Sequence, residues 1–201
     1  SKQHEEREKK WREYQSIFSQ YVDFYHNELL KNENYSVARD YLKNRSLTKE
    51  EVKKFKIGYI EKNPNYYEKL RKDFSEQTLL DTGLFYLDEK KKVYVERFRG
   101  RLIFPINNIS GQPIALGGRI IEKSDFLAKY INSPETNFFK KGSNLYNLDH
   151  ARKLSNKLDH IYLVEGYMDV VGLSKNGIEN SVANLGTSLT DKQILTLNQF
   201  F

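Results

Sequence analysis

Two carboxylates stand four residues apart near the end of the chain, at Glu165 and Asp169. Glu165 follows a short apolar run that predicts a buried strand, and Asp169 lies one turn into the helix expected next. Open α/β sheets bind ligands at this carboxyl edge, and two carboxylates on one side suit Mg²⁺ or Mn²⁺. The residues also allow a structural interpretation, in which Asp169 complements the positive end of the helix and Glu165 is a surface carboxylate.

Arginines form a second set of candidate residues, upstream of the carboxylates. Arg97, Arg99 and Arg101 alternate along the chain, which predicts three guanidinium groups on one face of an extended segment. Arg119 follows two glycines, residues 117–118, that allow a close approach to the backbone. Its guanidinium is therefore predicted to bind a phosphate as a fork.

Polar, aromatic and basic side chains are interleaved over residues 129–136, and Lys140 and Lys141 follow. This mixture suits a sugar–phosphate chain or a nucleoside triphosphate. The residues leave open a simpler interpretation, a charged edge strand whose Lys and Arg side chains prevent aggregation. We expect Tyr130 and Tyr146 to lie in the core rather than to stack on bases.

The composition excludes several classes of chemistry. The 201 residues include no Cys and four scattered His, which excludes disulfides, thiolate catalysis, iron–sulfur clusters and a zinc site. The net charge is +6, with 31 basic and 23 acidic side chains in residues 1–160 and two basic and four acidic ones in residues 161–201. A basic body suits a polyanionic partner. No apolar run approaches the ~20 residues that cross a bilayer, and no secretory signal is present, so we expect a cytoplasmic protein without a membrane partner.

The elements that must position these side chains form two groups, and the predicted fold class is α/β. Residues 1–157 predict an α+β basic subdomain with a long amphipathic helix up to residue 31, a capping box at Thr48 and Glu51, and a small, mostly antiparallel sheet over residues 85–131. That sheet includes a hairpin with a five-residue loop at residues 107–111. Residues 158–201 predict the first β-α-β-α of an open sheet. Such sheets have about five or six strands, so we expect a truncated second domain.

These motifs together resemble one family. Residues 163–171 and 182–190 closely resemble the start of the Toprim segment of bacterial DnaG-type DNA primases. Residues 101–106, 117–119 and 129–136 resemble the basic region of that family, in the same order. The resemblance extends from about residue 20 to the end of the chain. It implies a template-directed RNA polymerase that uses ribonucleoside triphosphates to make short RNA primers on single-stranded DNA for replication.

The resemblance also implies roles for particular residues. Glu165 takes the position of the Toprim glutamate and Asp169 that of a nearby acidic residue, both as catalytic ligands of Mg²⁺ or Mn²⁺. Residues 41–47 match the pattern Tyr-Leu-x-x-Arg-Gly-Leu, with Ser46 in place of Gly. The positions matched to nucleotide or nucleic-acid contact are Arg45, Arg119, Lys129, Asn132 and Lys141. Charge alone adds Arg97, Arg99, Arg101 and Lys140.

The chain departs from the family pattern in two places. It ends at Phe201, before the Asp-x-Asp pair of the next Toprim strand, so the resemblance implies that the remaining metal ligands lie beyond Phe201. It also contains neither the Cys/His zinc domain nor the helicase-binding domain of the family. We therefore expect a fragment of the catalytic core, inactive alone and without zinc, from an enzyme that works with the replicative helicase at the nucleoid.

Two alternatives to a primase remain. One is another Toprim enzyme, such as a topoisomerase or a nuclease, and the other is a non-catalytic nucleic-acid-binding module. The Asn-Ser-Pro-Glu-Thr segment at residues 132–136 argues against a topoisomerase.

Overall fold

A long helix opens the fold, which the computed structural model describes over residues 2–201. This helix, α1 (Lys2–Lys31), includes the segment predicted from the sequence. Its buried face is an apolar stripe at helical spacing, formed by Tyr14, Ile17, Phe18, Tyr21, Val22, Tyr25 and Leu29. The stripe packs on the central sheet, where the Tyr14 hydroxyl donates to the Ile114 carbonyl at 2.5 Å.

Short helices continue the N-terminal part of the fold: α2 (Ser36–Asn44), α3 (Lys49–Lys54), α4 (Tyr66–Leu70) and α5 (Glu76–Asp81). The predicted capping box at the start of α3 is confirmed. The Thr48 backbone N–H donates to Glu51 Oε2 at 2.7 Å, and the Glu50 N–H donates to Thr48 Oγ1 at 3.2 Å. These bonds satisfy N–H groups that a helix start otherwise leaves open, and so they fix where α3 begins.

Six strands form two antiparallel sheets: β1 (Gly58–Ile60), β2 (Phe85–Asp88), β3 (Val93–Glu96), β4 (Arg101–Asn107), β5 (Pro113–Ile120) and β6 (Tyr130–Asn132). The larger sheet has the order β1-β4-β5-β6, and β2 pairs only with β3. The β4–β5 hairpin has the predicted five-residue loop, shifted by one residue to 108–112. The expectation of one sheet over residues 85–131 was wrong, because a turn at 97–100 with Gly100 at φ +72° separates β3 from β4.

The C-terminal part contains α6 (Leu148–Ala151), β7 (Tyr162–Val164), α7 (Tyr167–Lys175), β8 (Ser181–Ala183) and α8 (Asp191–Leu197). β7 and β8 pair in parallel, with Leu163 opposite Val182. The predicted β-α-β-α order is therefore confirmed, as is the α/β fold class. Within residues 2–201, no helix has the length and apolar character needed to span a bilayer.

Aromatic side chains join the two parts of the fold in one core. The Tyr167 ring stacks on Phe104 with centroids 5.3 Å apart and meets the edge of Tyr146 at 4.8 Å. The Tyr146 backbone N–H donates to the Ala183 carbonyl at 2.9 Å, which ties this segment to β8. Tyr146 is buried, as predicted. Because Tyr167 lies two residues after Glu165, this packing holds the carboxyl edge of β7 against the larger antiparallel sheet.

Candidate functional site

Two exposed carboxylates lie at the carboxyl end of β7. Glu165 directly follows the strand, and Asp169 lies in the first turn of α7, where its Oδ2 accepts from the Gly166 N–H at 3.1 Å. Asp169 therefore interacts with the N-terminal end of α7, as the structural interpretation of the sequence allowed, but it uses only one of its two oxygens for this. Neither carboxylate pairs with a cation of residues 2–201 within 4.0 Å.

This donor set fits a divalent ion in part. Carboxylate oxygens are the ligands that Mg²⁺ and Mn²⁺ prefer, and Mg²⁺ commonly takes one or two of them and completes its shell with water and substrate phosphates. Across the described residues, 2–201, no three His, Cys, Asp or Glu side chains are grouped to hold a metal ion. Glu165 and Asp169 therefore provide part of a site that substrate oxygens would complete.

The position of further metal ligands beyond Phe201 stays a prediction. Phe201 itself is half-buried after α8, and its backbone N–H donates to the Leu197 carbonyl at 3.0 Å. Its side chain is a hydrocarbon ring and offers no atom to a metal ion. Within the described part of the chain, the metal-site candidates are therefore Glu165 and Asp169.

Arg119 lies near the end of β5, clamped between two tyrosine rings. Its guanidinium carbon is 5.3 Å from the Tyr41 ring centroid and 4.9 Å from that of Tyr130, and its Nε donates to the Tyr41 hydroxyl. The side chain is buried, yet Nη1 has no hydrogen-bond partner. A fixed guanidinium with a spare donor is suited to a phosphate or carboxylate oxygen.

Among residues 2–201, seven other buried side-chain atoms have no partner, and three of them belong to segments that pack around β5 and β6: Asn132 Oδ1, the Tyr167 hydroxyl and Asn184 Oδ1. Gly117 is paired with Asn132 across β5 and β6, and a Cβ on Gly117 would overlap the Tyr167 ring. A Cβ on Gly186 would lie 3.1 Å from Asn132 Nδ2, which brings the chain after β8 to the same place. We call this place the junction, defined by Gly117, Arg119, Asn132, Tyr167 and Asn184.

The unpaired atoms of the junction are available to a ligand. A buried polar group without a hydrogen bond costs about 1–3 kcal/mol, and such groups are few in folded proteins. Here one donor, two acceptors and a hydroxyl are unpaired, and the exposed Glu165 lies just before α7, the helix that begins with Tyr167. A ligand with phosphate, hydroxyl and amino groups would pair with all of them.

The glycines at 117 and 118 are needed for packing inside the protein. We expected them to allow a close approach by a ligand. In the structure the Tyr167 ring fills the space beside Gly117, and Phe98 Cδ1 would be 2.6 Å from a Cβ on Gly118. Gly117 allows α7 to lie close to β5 and through that packing positions the junction, whereas Gly118 makes room for Phe98.

The prediction that Arg97, Arg99 and Arg101 share one face of an extended segment was wrong, because the turn at 97–100 separates Arg101 from the other two, which both contact Tyr86. Arg97 Nε donates to the Gly83 carbonyl at 2.7 Å, and Arg99 Nη1 donates to the Tyr86 hydroxyl at 3.0 Å. Arg101 is buried at the start of β4, with Nη1 3.3 Å from the Lys129 carbonyl. Burial lowers the pKa of both Arg97 and Arg101 from the usual arginine value.

The remaining predicted residues fall into two places. Arg45 is exposed, with its guanidinium carbon 5.2 Å from the Tyr41 ring, so it shares that ring with Arg119. Lys129 is exposed beside the junction, with Nζ 6.0 Å from the Tyr130 ring.

Lys140 and Lys141 belong to a separate segment tied to α8. The Lys140 ammonium is 3.8 Å from Glu135 Oε2, and the Lys141 carbonyl accepts from Gln193 Nε2 at 3.0 Å. The structure thus brings Arg45, Arg119, Lys129 and Asn132 to the junction side and shows no contact between them and the Lys140–Lys141 pair.

Aromatic residues are what sequence reasoning missed at this site. Tyr130, expected in the core, is 41% exposed because it lies on the edge strand β6. Tyr41 was matched to the family pattern but was not predicted as a site residue, although its spacing of four from Arg45 predicts one helix face. Phe126 is 96% exposed in the β5–β6 loop, between Lys123 and Lys129 in sequence. An aromatic residue in a charged loop was the available signal, since exposed rings among lysines are typical of stacking on single-stranded bases.

Comparison with known proteins is consistent with this geometry. Residues 24–152 match the family described as "DNA primase catalytic core, N-terminal domain", and residues 159–201 match the Toprim domain. The DNA primase of Enterococcus faecalis is 34% identical over 188 residues, which is 91% of this chain and 30% of that protein. The chain spans less than a third of the length of the curated relatives that it matches.

Solved structures agree with the sequence comparison. A DNA primase domain from Pseudomonas aeruginosa has a TM-score of 0.85 and 38% identity over 93% of this chain and 58% of its own. A DnaG primase catalytic domain bound to single-stranded DNA has a TM-score of 0.85 and 34% identity, and the match covers 95% of this chain and 59% of that one.

Proposed function

The chain belongs to the DNA primase catalytic-core family, and on that premise we propose that it carries part of the active site of a DNA-directed RNA polymerase. The reaction is template-directed synthesis of short RNA primers on single-stranded DNA for replication. The observation that carries the proposal is the junction, where Arg119, Asn132, Tyr167 and Asn184 have unpaired buried polar atoms beside the exposed carboxylates that follow β7.

We propose that residues 1–157 act as the basic subdomain and residues 158–201 as the start of the Toprim domain. Arg119 donates from Nη1 to a phosphate oxygen of the nucleoside triphosphate, and Lys129 offsets further phosphate charge. Asn132 Oδ1 accepts from a sugar hydroxyl or base amino group. Arg45, with Phe126 and Tyr130 as exposed rings, contacts the template strand. Arg97, Arg99, Arg101, Lys140 and Lys141 remain charge-based candidates for the strand outside the junction.

Toprim primases depend on metal ions, and we propose Mg²⁺ or Mn²⁺ as the ions of this enzyme. Glu165 and Asp169 would hold them with carboxylate oxygens, together with ligands beyond Phe201. When bound, such ions supply the positive charge that activates the primer 3′-hydroxyl and stabilises the leaving pyrophosphate. The protein itself orients the triphosphate through Arg119 and Asn132, so no nucleophilic side chain is needed.

The partners proposed are the single-stranded template, ribonucleoside triphosphates and the growing RNA primer. The relatives support the template strand, since one DnaG primase catalytic domain was solved with single-stranded DNA and another with double-stranded DNA carrying an overhang. Family membership further suggests the replicative helicase as a partner in the bacterial cytoplasm.

Removing the charge of one carboxylate tests the metal site. In a priming assay with the complete gene product, Glu165→Gln should lower ribonucleotide incorporation at least about 100-fold while leaving single-stranded DNA binding within about twofold. The matched control is Glu33→Gln, an exposed glutamate with no ion pair among the described residues, which should keep full activity. Normal priming by Glu165→Gln would overturn the metal site, and DNA relaxation or cleavage without ribonucleotide incorporation would favour another Toprim enzyme.

Charge reversal tests the nucleic-acid surface. Lys129→Glu should weaken binding of a single-stranded oligonucleotide about tenfold at low salt, and the difference should shrink as salt rises. Lys141→Glu makes the same test for the Lys140–Lys141 segment, which is separate from the junction. If neither substitution reduces binding, the strand follows another path over the surface.

A further inference from the structure

An apolar groove lies between α1, α2 and α3, away from the junction. It encloses a cavity of about 470 Å³, within the ~300–1,000 Å³ usual for binding pockets. Its floor is aliphatic and is formed by Leu29, Leu30, Leu42, Leu47 and Val52. Four of these side chains are nearly fully buried, so the floor is part of the packed core and is preformed.

The rim of the groove carries only positive charge. It is formed by Arg39, Lys43, Lys49 and Lys175. None of the described residues that line the groove is Asp or Glu, and none of the four cations forms an ion pair within residues 2–201. Arg39 Nη1 donates to the carbonyls of Leu29 and Asn32 at 2.9 and 2.7 Å, and Lys175 Nζ donates to the Ser46 carbonyl. Two of the charges are therefore held in place by the backbone, and Lys43 and Lys49 are free to pair.

The groove is separate from the proposed nucleic-acid site. Tyr41 and Arg45 share one face of α2, and Tyr41 contacts Arg119. Arg39, Leu42 and Lys43 line the groove from the roughly opposite face of the same helix. No described residue that lines the groove is aromatic, so it offers no ring on which a base could stack.

We propose that this groove binds a peptide segment of a protein partner that combines acidic residues with aliphatic or aromatic ones. The apolar side chains of the peptide lie on the leucine floor, and its carboxylates pair with Lys43 and Lys49. Complementary charge at the rim selects an acidic peptide, and burial on the floor provides affinity. Because Lys175 comes from α7, a bound peptide would contact the Toprim segment as well as the basic subdomain. The proposal does not rest on the priming activity.

A display library of random twelve-residue peptides tests the proposal with the complete gene product as bait. We expect enrichment of peptides that contain Asp or Glu together with Leu, Ile or Phe. A fluorescein-labelled synthetic copy of the most enriched peptide should bind Lys43→Glu/Lys49→Glu at least about tenfold more weakly. The matched control is Lys153→Glu/Lys157→Glu, which makes the same change of charge at two exposed lysines outside the groove. Methyl NMR should show the bound peptide shifting Leu29, Leu30, Leu42 and Leu47.

Each other outcome would overturn the proposal. Enrichment of neutral or basic peptides, or equal binding by both double variants, would contradict the charge argument. Methyl shifts outside the four leucines would place the peptide elsewhere. If Lys43→Glu/Lys49→Glu weakens binding of a single-stranded oligonucleotide but not of the peptide, the groove belongs to the nucleic-acid surface. Thermal unfolding of each variant checks that the fold is intact.

Discussion

Glu96 and Glu165 both stand at the end of a short strand, one in the helical N-terminal part and the other beside the junction. Glu96 is 3% exposed, and its carboxylate accepts from the hydroxyls of Tyr21 and Tyr25 at 2.7 and 2.6 Å and from the backbone N–H groups of Tyr66 and Tyr67 at 2.6 and 3.3 Å. Glu165 is exposed, and it pairs with no cation among the described residues. The same residue type is a hub of the core in one place and a candidate ligand in the other.

The contrast extends to the polar atoms around the two glutamates. Every unpaired buried side-chain nitrogen or oxygen of the described residues lies between Arg119 and Asn184, and residues 2–118 have none. Burial is the main influence on Glu96 and raises its pKa, and the fold offsets this with four donors. Four of the eight unpaired atoms in the described residues belong to the junction, and the other four belong to Tyr146, Asn147, Arg152 and Ser181. The N-terminal core pairs its polar groups fully, whereas the part of the fold that contains the junction does not.

The largest expected effect comes from removing the paired carboxylate. Glu96→Ala should lower the free energy of unfolding by about 3 kcal/mol or more, because two hydroxyls and two N–H groups lose their acceptor in a dry core. Glu165→Ala should change it by less than about 0.5 kcal/mol. Urea denaturation of both variants measures the difference, and equal losses would contradict the distinction between the two glutamates.

Glycine substitutions separate the junction from the rest of α7. Gly117→Ala should destabilise by about 1–3 kcal/mol, because its Cβ would overlap the Tyr167 ring and push α7 away from β5. Gly172→Ala is the control within α7: apart from its chain neighbours and the nearby helix backbone, no atom of the described residues would lie within 4 Å of its Cβ. It should therefore stabilise the helix by up to about 1 kcal/mol. Thermal unfolding checks both, and a neutral Gly117→Ala would mean that α7 is not held at this point.

Two tyrosine substitutions compare a hydroxyl that is hydrogen-bonded in the N-terminal core with one at the junction that has no partner among the described residues. Tyr25→Phe removes a donor to Glu96 and should cost about 1–2 kcal/mol. Tyr167→Phe removes a buried hydroxyl without a partner and should be neutral or slightly stabilising in the free protein. The same Tyr167→Phe variant should bind nucleoside triphosphate more weakly in isothermal titration. A clear loss of stability for Tyr167→Phe would show that its hydroxyl is paired after all.

Much of the fold was predictable from local sequence signals. The helix stripe of α1, the capping box at Thr48, the β4–β5 hairpin and the parallel β7–β8 pair all follow from spacing and turn residues that act within a few positions. Glu165 and Asp169 could be chosen as candidate metal ligands in the same way, because the strand, the turn and the helix that carry them follow one another in sequence.

The rest required contacts between distant residues. No local signal around Glu96 predicts burial, and only the packing of Tyr21 and Tyr25 from α1 makes it a buried acceptor. The arginines at 97–101 looked extended because alternation alone does not reveal the turn at Gly100. Arg119 was predicted as a phosphate ligand, but its position between the Tyr41 and Tyr130 rings was not. Tyr41 is 78 residues away from Arg119 in sequence, so no local signal reveals this contact.

The smallest expected effect is the pH dependence of the free energy of unfolding that comes from His26 in the N-terminal core. His26 is buried, and its Nδ1–H donates to the Ile57 carbonyl at 2.7 Å. Burial is the largest influence and lowers the pKa of His26 below its usual value of about 6.5. The hydrogen bond to Ile57 and the charge of Asp23 oppose this shift, and Lys56 and Lys53 act in the same direction as burial. The unfolded chain therefore binds more protons than the folded protein below about pH 6.5, so the stabilisation present above that pH declines as the pH falls toward the folded pKa. Urea denaturation between pH 7.5 and pH 5 should show this decline, and His26→Gln should flatten it, whereas His4→Gln, at an exposed position, should not. An unchanged slope in His26→Gln would mean that this histidine is as free to protonate in the fold as in the unfolded chain, which its burial argues against.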